Sequence, residues 1–332
     1  MKLRDNRYSN SHAWATRGVA DRCTRRPAMW RLRLTHAVMA ILLAVVMIGC
    51  GARHDGRQVV ALSFDSQRYL LEAIAGDDFD AVVLLPAGSD PETFEPDMRA
   101  MRGLEEAQVY LTTSTLGFET SIKQRVRSNY PDLKVIDISD GIDVLTHTHE
   151  VAGEAHEHPE GDPHLLASLR NARIVSRNIL ASVVALNPDS SEKYCRRYDA
   201  LDRRLAQADA RVDSMLHAGN AAGGSFVVMH PSLSYYARDY GLTQIPLETD
   251  GKEATPRQLE QRLQDARTAD VRALFYERGK SEAQAREIAA SLGVEAWPIY
   301  LNGDDFMTQI MDISEHMNYD ARTKNQPSRH DK

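Results

Sequence analysis

From residue 59 the chain repeats one pattern in two rounds, an apolar run followed by a helical stretch, with one very long helical segment between the rounds. VVALSF (59–64), AVVLLP (81–86), VYLTTS (109–114) and KVIDIS (134–139) read as buried strands. SQRYLLEAIAG (66–76), stopped by Gly76, and the segments 97–107 and 117–129 read as helices between them. The second round is SFVVMH (225–230), LTQIPLE (242–248), VRALFYE (271–277) and VEAWPIYL (294–301), with helices from 232, at 256–267, at 281–291 and at 304–317. Strands that alternate with helices imply a mainly parallel sheet covered by helices. Two rounds imply an α/β fold of two Rossmann-like lobes.

Helical signals between the rounds run from about 168 to 186, break at Asn187-Pro188 and resume over 189–217. The second stretch carries charges all round a modest apolar stripe. At roughly 28 residues it is ~40 Å long, far longer than an ordinary crossover helix. The expected division is a lobe over 59–187, a connecting helix over 188–218, a second lobe over 219–317 and a polar tail over 318–332. In open parallel sheets ligands sit beyond the carboxyl ends of the strands, and two such sheets facing each other leave a cleft.

The N-terminus belongs to neither lobe. AVMAILLAVVMIG (Ala37–Gly49) is unbroken apolar sequence behind an arginine-rich stretch. It is too short to span a bilayer comfortably and fits the core of a secretory signal. Residues 1–49 are expected to be that signal region, and Met29 offers a more ordinary start for it. MIGC (Met47–Cys50) resembles the lipobox of bacterial lipoproteins, which makes Cys50 the expected lipidated residue, residues 50–58 a tether, and the envelope surface the expected location. Nine of the 40 Lys and Arg but only two of the 47 Asp and Glu fall in residues 1–49, which leaves 31 basic and 45 acidic residues, a net of −14. That charge argues against nucleic acid as a partner and suits a cation as ligand. Of the three cysteines only Cys195 lies beyond Cys50, so a disulfide framework and a CxxC zinc cage are both excluded, and a metal site must use His, Asp and Glu.

THTHEVAGEAHEHPEGDPH (Thr146–His164) holds five of the twelve histidines. It shows no helical or alternating apolar pattern, so 146–162 is expected to be an exposed, irregular loop. Metal-type side chains also stand at three junctions of loops with regular elements. Glu92 lies in LLPAGSDPETFEP after the second strand, His164 precedes a helix, and His230 ends SFVVMH.

Together these segments resemble the zinc- and manganese-type solute-binding lipoproteins of bacterial ABC importers over nearly all of 59–317. The family's DPHxYEP loop is matched by Asp90-Pro91-Glu92-Thr93-Phe94-Glu95-Pro96. Its DPHxW segment is matched by Asp162-Pro163-His164-Leu165-Leu166. Its strand ending in His with a following YGL is matched by MHPSLSYYARDYGL, and its GKEPSP-like segment by Gly251–Pro256. The resemblance implies a metal held between the lobes by Glu92, His164 and His230. Glu92 replaces a usual histidine, which keeps a normal first-row site but discriminates less against manganese or iron(II). The family's Asp ligand in LDPLG is also missing. Tyr300 falls at that place, and Asp304, Asp305, Glu277 or water are the alternatives. His147, His149, His156 and His158 are expected to catch metal weakly as an accessory capture loop.

The expected function is extracytoplasmic capture of Zn2+ and its delivery to an ABC permease, by a monomeric binding protein rather than an enzyme. Manganese or iron(II) is the alternative cargo. A metal-stabilised, adhesin-like surface lipoprotein is the alternative of another class. A zinc hydrolase is disfavoured, because no HExxH and no placed general base accompany the ligands.

Overall fold

The computed structural model describes residues 57–86, 89, 91, 94–146, 161–248 and 254–318, with the backbone alone at 148–151 and 154–157. Cys50, Glu92, His147, His158, the signal region and the tail beyond 318 lie outside the described residues. Among the described residues no helix is long and apolar enough to cross a membrane.

The first lobe contains β1 (Gln58–Leu62), α1 (Asp65–Ala75), β2 (Phe79–Val83), α2 (Met98–Glu106), β3 (Val109–Thr112), α3 (Gly117–Asn129) and β4 (Lys134–Asp137). Its strands are parallel in the order β2-β1-β3-β4. A two-stranded ribbon follows, β5 (Thr148–Val151) and β6 (Glu154–Glu157), and then α4 (Leu169–Leu186) and the 28-residue α5 (Ser191–Ala218). The second lobe contains β7 (Ser225–Val228), α6 (Ser234–Tyr240), β8 (Thr243–Pro246), α7 (Pro256–Thr268), β9 (Val271–Glu277), α8 (Glu282–Leu292), β10 (Ala296–Ile299) and α9 (Phe306–Met317). Its parallel sheet runs β10-β9-β7-β8, so each lobe places its first strand between its second and third. The two-lobed α/β architecture read from the sequence is the one observed.

The expectation of an irregular histidine loop is corrected. Its backbone forms an antiparallel ladder in which His149 stands opposite His156. The ladder needs only main-chain hydrogen bonds and no apolar face, so periodicity gave no sign of it.

Alternate residues of each central strand face different cores, as a two-faced sheet requires. Val60 and Leu62 of β1 and Phe226 and Val228 of β7 point into one shared core. Val59 and Ala61 face an outer core under α2 and α3, and Val227 faces another under α7 and α8. The shared core is threaded by α5, whose Tyr194, Leu201, Leu205, Val212 and Leu216 are all buried.

Polar contacts fix that helix to both lobes. Near its start Lys193 pairs with Asp78, and the Tyr194 hydroxyl donates to the same carboxylate at 2.7 Å. Arg197 donates to the Ala75 carbonyl at the end of α1 at 2.7 Å. Gly76 takes φ +65° there, which strains any other residue, and a Cβ at Gly76 would lie 2.4 Å from Arg197 Nη1, so a side chain would also displace that guanidinium. In its second half Asp209 accepts from the Tyr240 hydroxyl at 2.8 Å, and the Met215 carbonyl accepts from Asn318 at 2.8 Å. Arg173 of α4 forks onto Asp202 at 2.6 and 2.9 Å.

Because Leu205 is fully buried where both lobes meet the helix, Leu205→Ala should cost about 2–5 kcal/mol. Urea unfolding followed by circular dichroism should remain one transition at a lower midpoint. The hydrogen bonds from Lys193 and Tyr194 hold the Asp78 carboxyl below its ordinary value. The stability this gives is present above the ordinary aspartate range and is lost as pH falls through the lowered pKa. Asp78→Asn should therefore flatten the acid limb of the melting temperature against pH.

Candidate metal centre

In both lobes the strand order reverses between the first and third strands, and the ends of those strands frame a crevice. In the first lobe that crevice is filled from within. The buried Glu119 carboxylate accepts from the Ser63 hydroxyl, from the Thr113 amide at 3.0 Å and from the Thr115 amide at 3.1 Å. In the second lobe the same place carries His230, just past β7, and Glu277, the last residue of β9.

Sheet-like hydrogen bonds continue past β7 and hold the His230 backbone. Met229 donates to the Phe275 carbonyl at 3.0 Å, and Glu248 donates to the Met229 carbonyl at 2.8 Å. The His230 ring is buried, with Nδ1 3.7 Å from a Glu248 carboxylate oxygen, an ion-pair separation beyond hydrogen-bond range.

His164 reaches the same point from a short 3-10 turn, Leu165–Ala167, that leads into α4. Asp162, fully buried, accepts twice through one oxygen, from the His164 amide at 2.8 Å and at the His164 Nδ1 position at 2.9 Å. A carboxylate only accepts, so Nδ1 carries a proton, and in the neutral ring Nε2 holds the lone pair. Nε2 is buried and has no hydrogen-bond partner. Such an orphan is costly unless something binds it.

Tyr235 anchors this arrangement from the second lobe. Its hydroxyl donates to the Asp162 carbonyl at 2.9 Å and accepts from the Leu145 amide at 3.2 Å. Burial, and then the nearby Asp162 charge, push the phenol well above its ordinary range, so it stays a donor. Arg238 stacks over the Tyr235 ring and donates to the Asp143 carbonyl at 2.9 Å. Helix α6 therefore grips the chain on both sides of the histidine ribbon.

Among the described residues, His164, His230 and Glu277 bring one ligand atom each within 4.8 Å of one another. The two imidazole centroids are 5.1 Å apart at 65°. Donors about 2.1 Å from a tetrahedral first-row ion stand roughly 3.4 Å apart, so a closure of about an ångström suffices. The adjoining cavity of ≈ 40 Å³ is lined by His164, Ser232, Glu277, Lys280 and Tyr300, with Ser89 and Pro91 at its edge. Ser89 precedes the Asp90–Pro96 segment, and Pro91 belongs to it. Tyr300 packs its ring against Gly303, where a Cβ would lie 2.8 Å from Tyr300 Cε1. Asp304 and Asp305 are exposed, and Asp305 accepts from the Gln309 amide at the start of α9.

Sequence reasoning quoted Asp162 but gave it no role, and it passed over Glu248, Tyr235 and Lys280. The signal for Asp162 was its position two residues before His164, where a short side chain can fold back onto the imidazole.

The fold is that of a two-lobed α/β binding protein, and imidazole and carboxylate groups from both lobes converge on one point. Residues 60–317 match the family described as zinc-uptake complex component A, periplasmic, and the chain belongs to that family, which comprises binding components and not enzymes. The zinc-binding protein AdcA of Streptococcus pyogenes serotype M3 is 25% identical over 262 residues, 73% of this chain and 50% of that protein. The chain thus spans about half the length of that relative. The manganese-binding lipoprotein MntA of Halalkalibacterium halodurans is 22% identical over 79% of this chain and 87% of its own length. The crystal structure of ZnuA superposes with a TM-score of 0.69 at 26% identity, covering 79% of this chain and 98% of that one.

The His164 tautomer can be read directly. Two-bond 1H–15N spectra of the purified protein should show Nδ1 protonated and Nε2 bare. Asp162→Ala should shift the ring toward a tautomer mixture.

Proposed function

We propose that the chain captures a divalent first-row metal ion, zinc before manganese or iron(II), and delivers it to an ABC permease on the outer side of a membrane. The observation that carries this reading is the buried, unpartnered Nε2 of His164 beside His230 and Glu277. His164, His230 and Glu277 hold the ion, and Glu92 joins them from the Asp90–Pro96 loop. Tyr300 remains a neighbour at the cavity wall.

Two neutral imidazoles favour zinc, while a carboxylate-rich remainder leaves manganese and iron(II) within reach. A zinc-binding and a manganese-binding relative both fall within matching range, in keeping with a donor set that permits either. Asp162 fixes the His164 ring so that little reorganisation is needed when the ion arrives. The long helix, bound into both lobes, restricts opening and closing to small rotations. Lipidation at Cys50 would keep the protein at the membrane, and the histidine ribbon, with His147, His149, His156 and His158, would hold further metal weakly near the cleft.

Competition against a chromophoric chelator tests this reading with Zn2+, Mn2+ and Fe2+. One tight site preferring zinc is expected. His164→Ala, His230→Ala or Glu277→Ala should each weaken it at least about 100-fold, and Asp162→Asn by about 10- to 100-fold. Binding that survives all four substitutions would place the ion elsewhere.

A further inference from the structure

Glu277 already has a cation. Lys280 Nζ lies 3.1 Å from Glu277 Oε2, and both residues line the same cavity as His164. The contact is built by the backbone. The Lys280 amide donates to the Glu277 carbonyl at 3.0 Å, closing a four-residue turn whose third residue, Gly279, has φ +85°. That is the position a type II turn reserves for glycine. Arg278 donates through its amide to the Ile299 carbonyl at 2.9 Å, which pins the turn to the end of β10. Ser281 follows at φ +49°, left-handed although it is not glycine. Lys280 is thus folded back over the end of its own strand and onto the carboxylate.

We infer that Lys280 is a tethered competitor for the metal and sets how tightly and how long the ion is held. This rests on Glu277, His164 and His230 being the ion's ligands. An ion about 2 Å from the Glu277 carboxylate would sit within a few ångströms of the ammonium, so the two cations repel. Lysine is the one that yields. Its side chain is 47% exposed, its stem is flexible and its head is well solvated. When the ion departs, the ammonium returns to the carboxylate it left. Glu277 then faces the cleft with a countercharge throughout the exchange, and the ion leaves faster than it would from a site without that substitute.

The test compares the wild type with Lys280→Met, Lys280→Arg and Arg196→Met, using Zn2+ alone as the probe. Arg196 is exposed on α5 and pairs with Glu192, so its variant makes the same change in net charge away from the site. Affinity is read by chelator competition and dissociation by a stopped-flow chelator chase. Lys280→Met should tighten zinc binding and slow its release by about fivefold. Lys280→Arg and Arg196→Met should stay near wild type. Wild-type affinity in Lys280→Met, or the same tightening in Arg196→Met, overturns the inference while leaving the site intact. If zinc binding to the wild type is absent, or is unaffected by His164→Ala and Glu277→Ala, the ligand assignment fails and this inference fails with it.

Discussion

The structure depends on one helix packed into two lobes at once. Residues 191–218 supply Tyr194, Leu201, Leu205, Val212 and Leu216 to a core that also takes Val60 and Leu62 from one sheet and Phe226 and Val228 from the other. A flexible linker between lobes would leave each sheet to bury its inner face alone and would allow wide hinge motion. Here that face is buried against the connecting helix itself. The ends of β7 and β9 are therefore held opposite the 162–164 turn, and His164, His230 and Glu277, from distant parts of the chain, come together there. The acidic and basic residues along the helix serve the same end, since Lys193, Arg197, Asp202 and Asp209 each reach a neighbouring element.

The two lobes share a strand order and use it differently. At the reversal of order in the first lobe, Glu119 closes the crevice and satisfies the amides of Thr113 and Thr115. In the second lobe the corresponding place holds His230 and Glu277, and His164 comes within 4.8 Å of both. His164 carries the larger burden because its ring is fixed by Asp162 and its free nitrogen has no other outlet. Asp162 is in turn held through its carbonyl by Tyr235, which belongs to the opposite lobe. The cluster is therefore a product of both lobes.

Much of this was legible before any coordinates. The apolar runs beginning at Val59, Val109 and Ser225 read as buried strands, and all three prove central in their sheets. Gly76 marked the end of the first helix, and the break at Asn187-Pro188 marked the start of the long one. The run VRALFYE (271–277) is the strand β9 in full, whereas β2 is shorter than its apolar run, and Leu84 and Leu85 continue the β1 pairing beyond it without forming a regular strand. The histidine ribbon was illegible because its sequence carries no apolar alternation to mark a strand. His164 and His230 stood out as metal-type residues at the ends of regular elements. Glu277 was only one of several alternatives, because it lies between a strand and a basic turn where an ordinary ion pair explains it equally well. The spacing of Asp162 and His164 permits the carboxylate to fold back onto the ring, but only the geometry shows that it does.

The central claim is that one ion sits between the lobes on two imidazoles and the Glu277 carboxylate, with Glu92 joining them. The most direct test is anomalous diffraction at the zinc edge from crystals of the zinc-loaded protein. The account predicts one fully occupied site with His164 Nε2, a nitrogen of His230 and a Glu277 oxygen at about 2.0–2.2 Å. A fully occupied zinc found only on the histidine ribbon, with His164 Nε2 left uncoordinated, would contradict it.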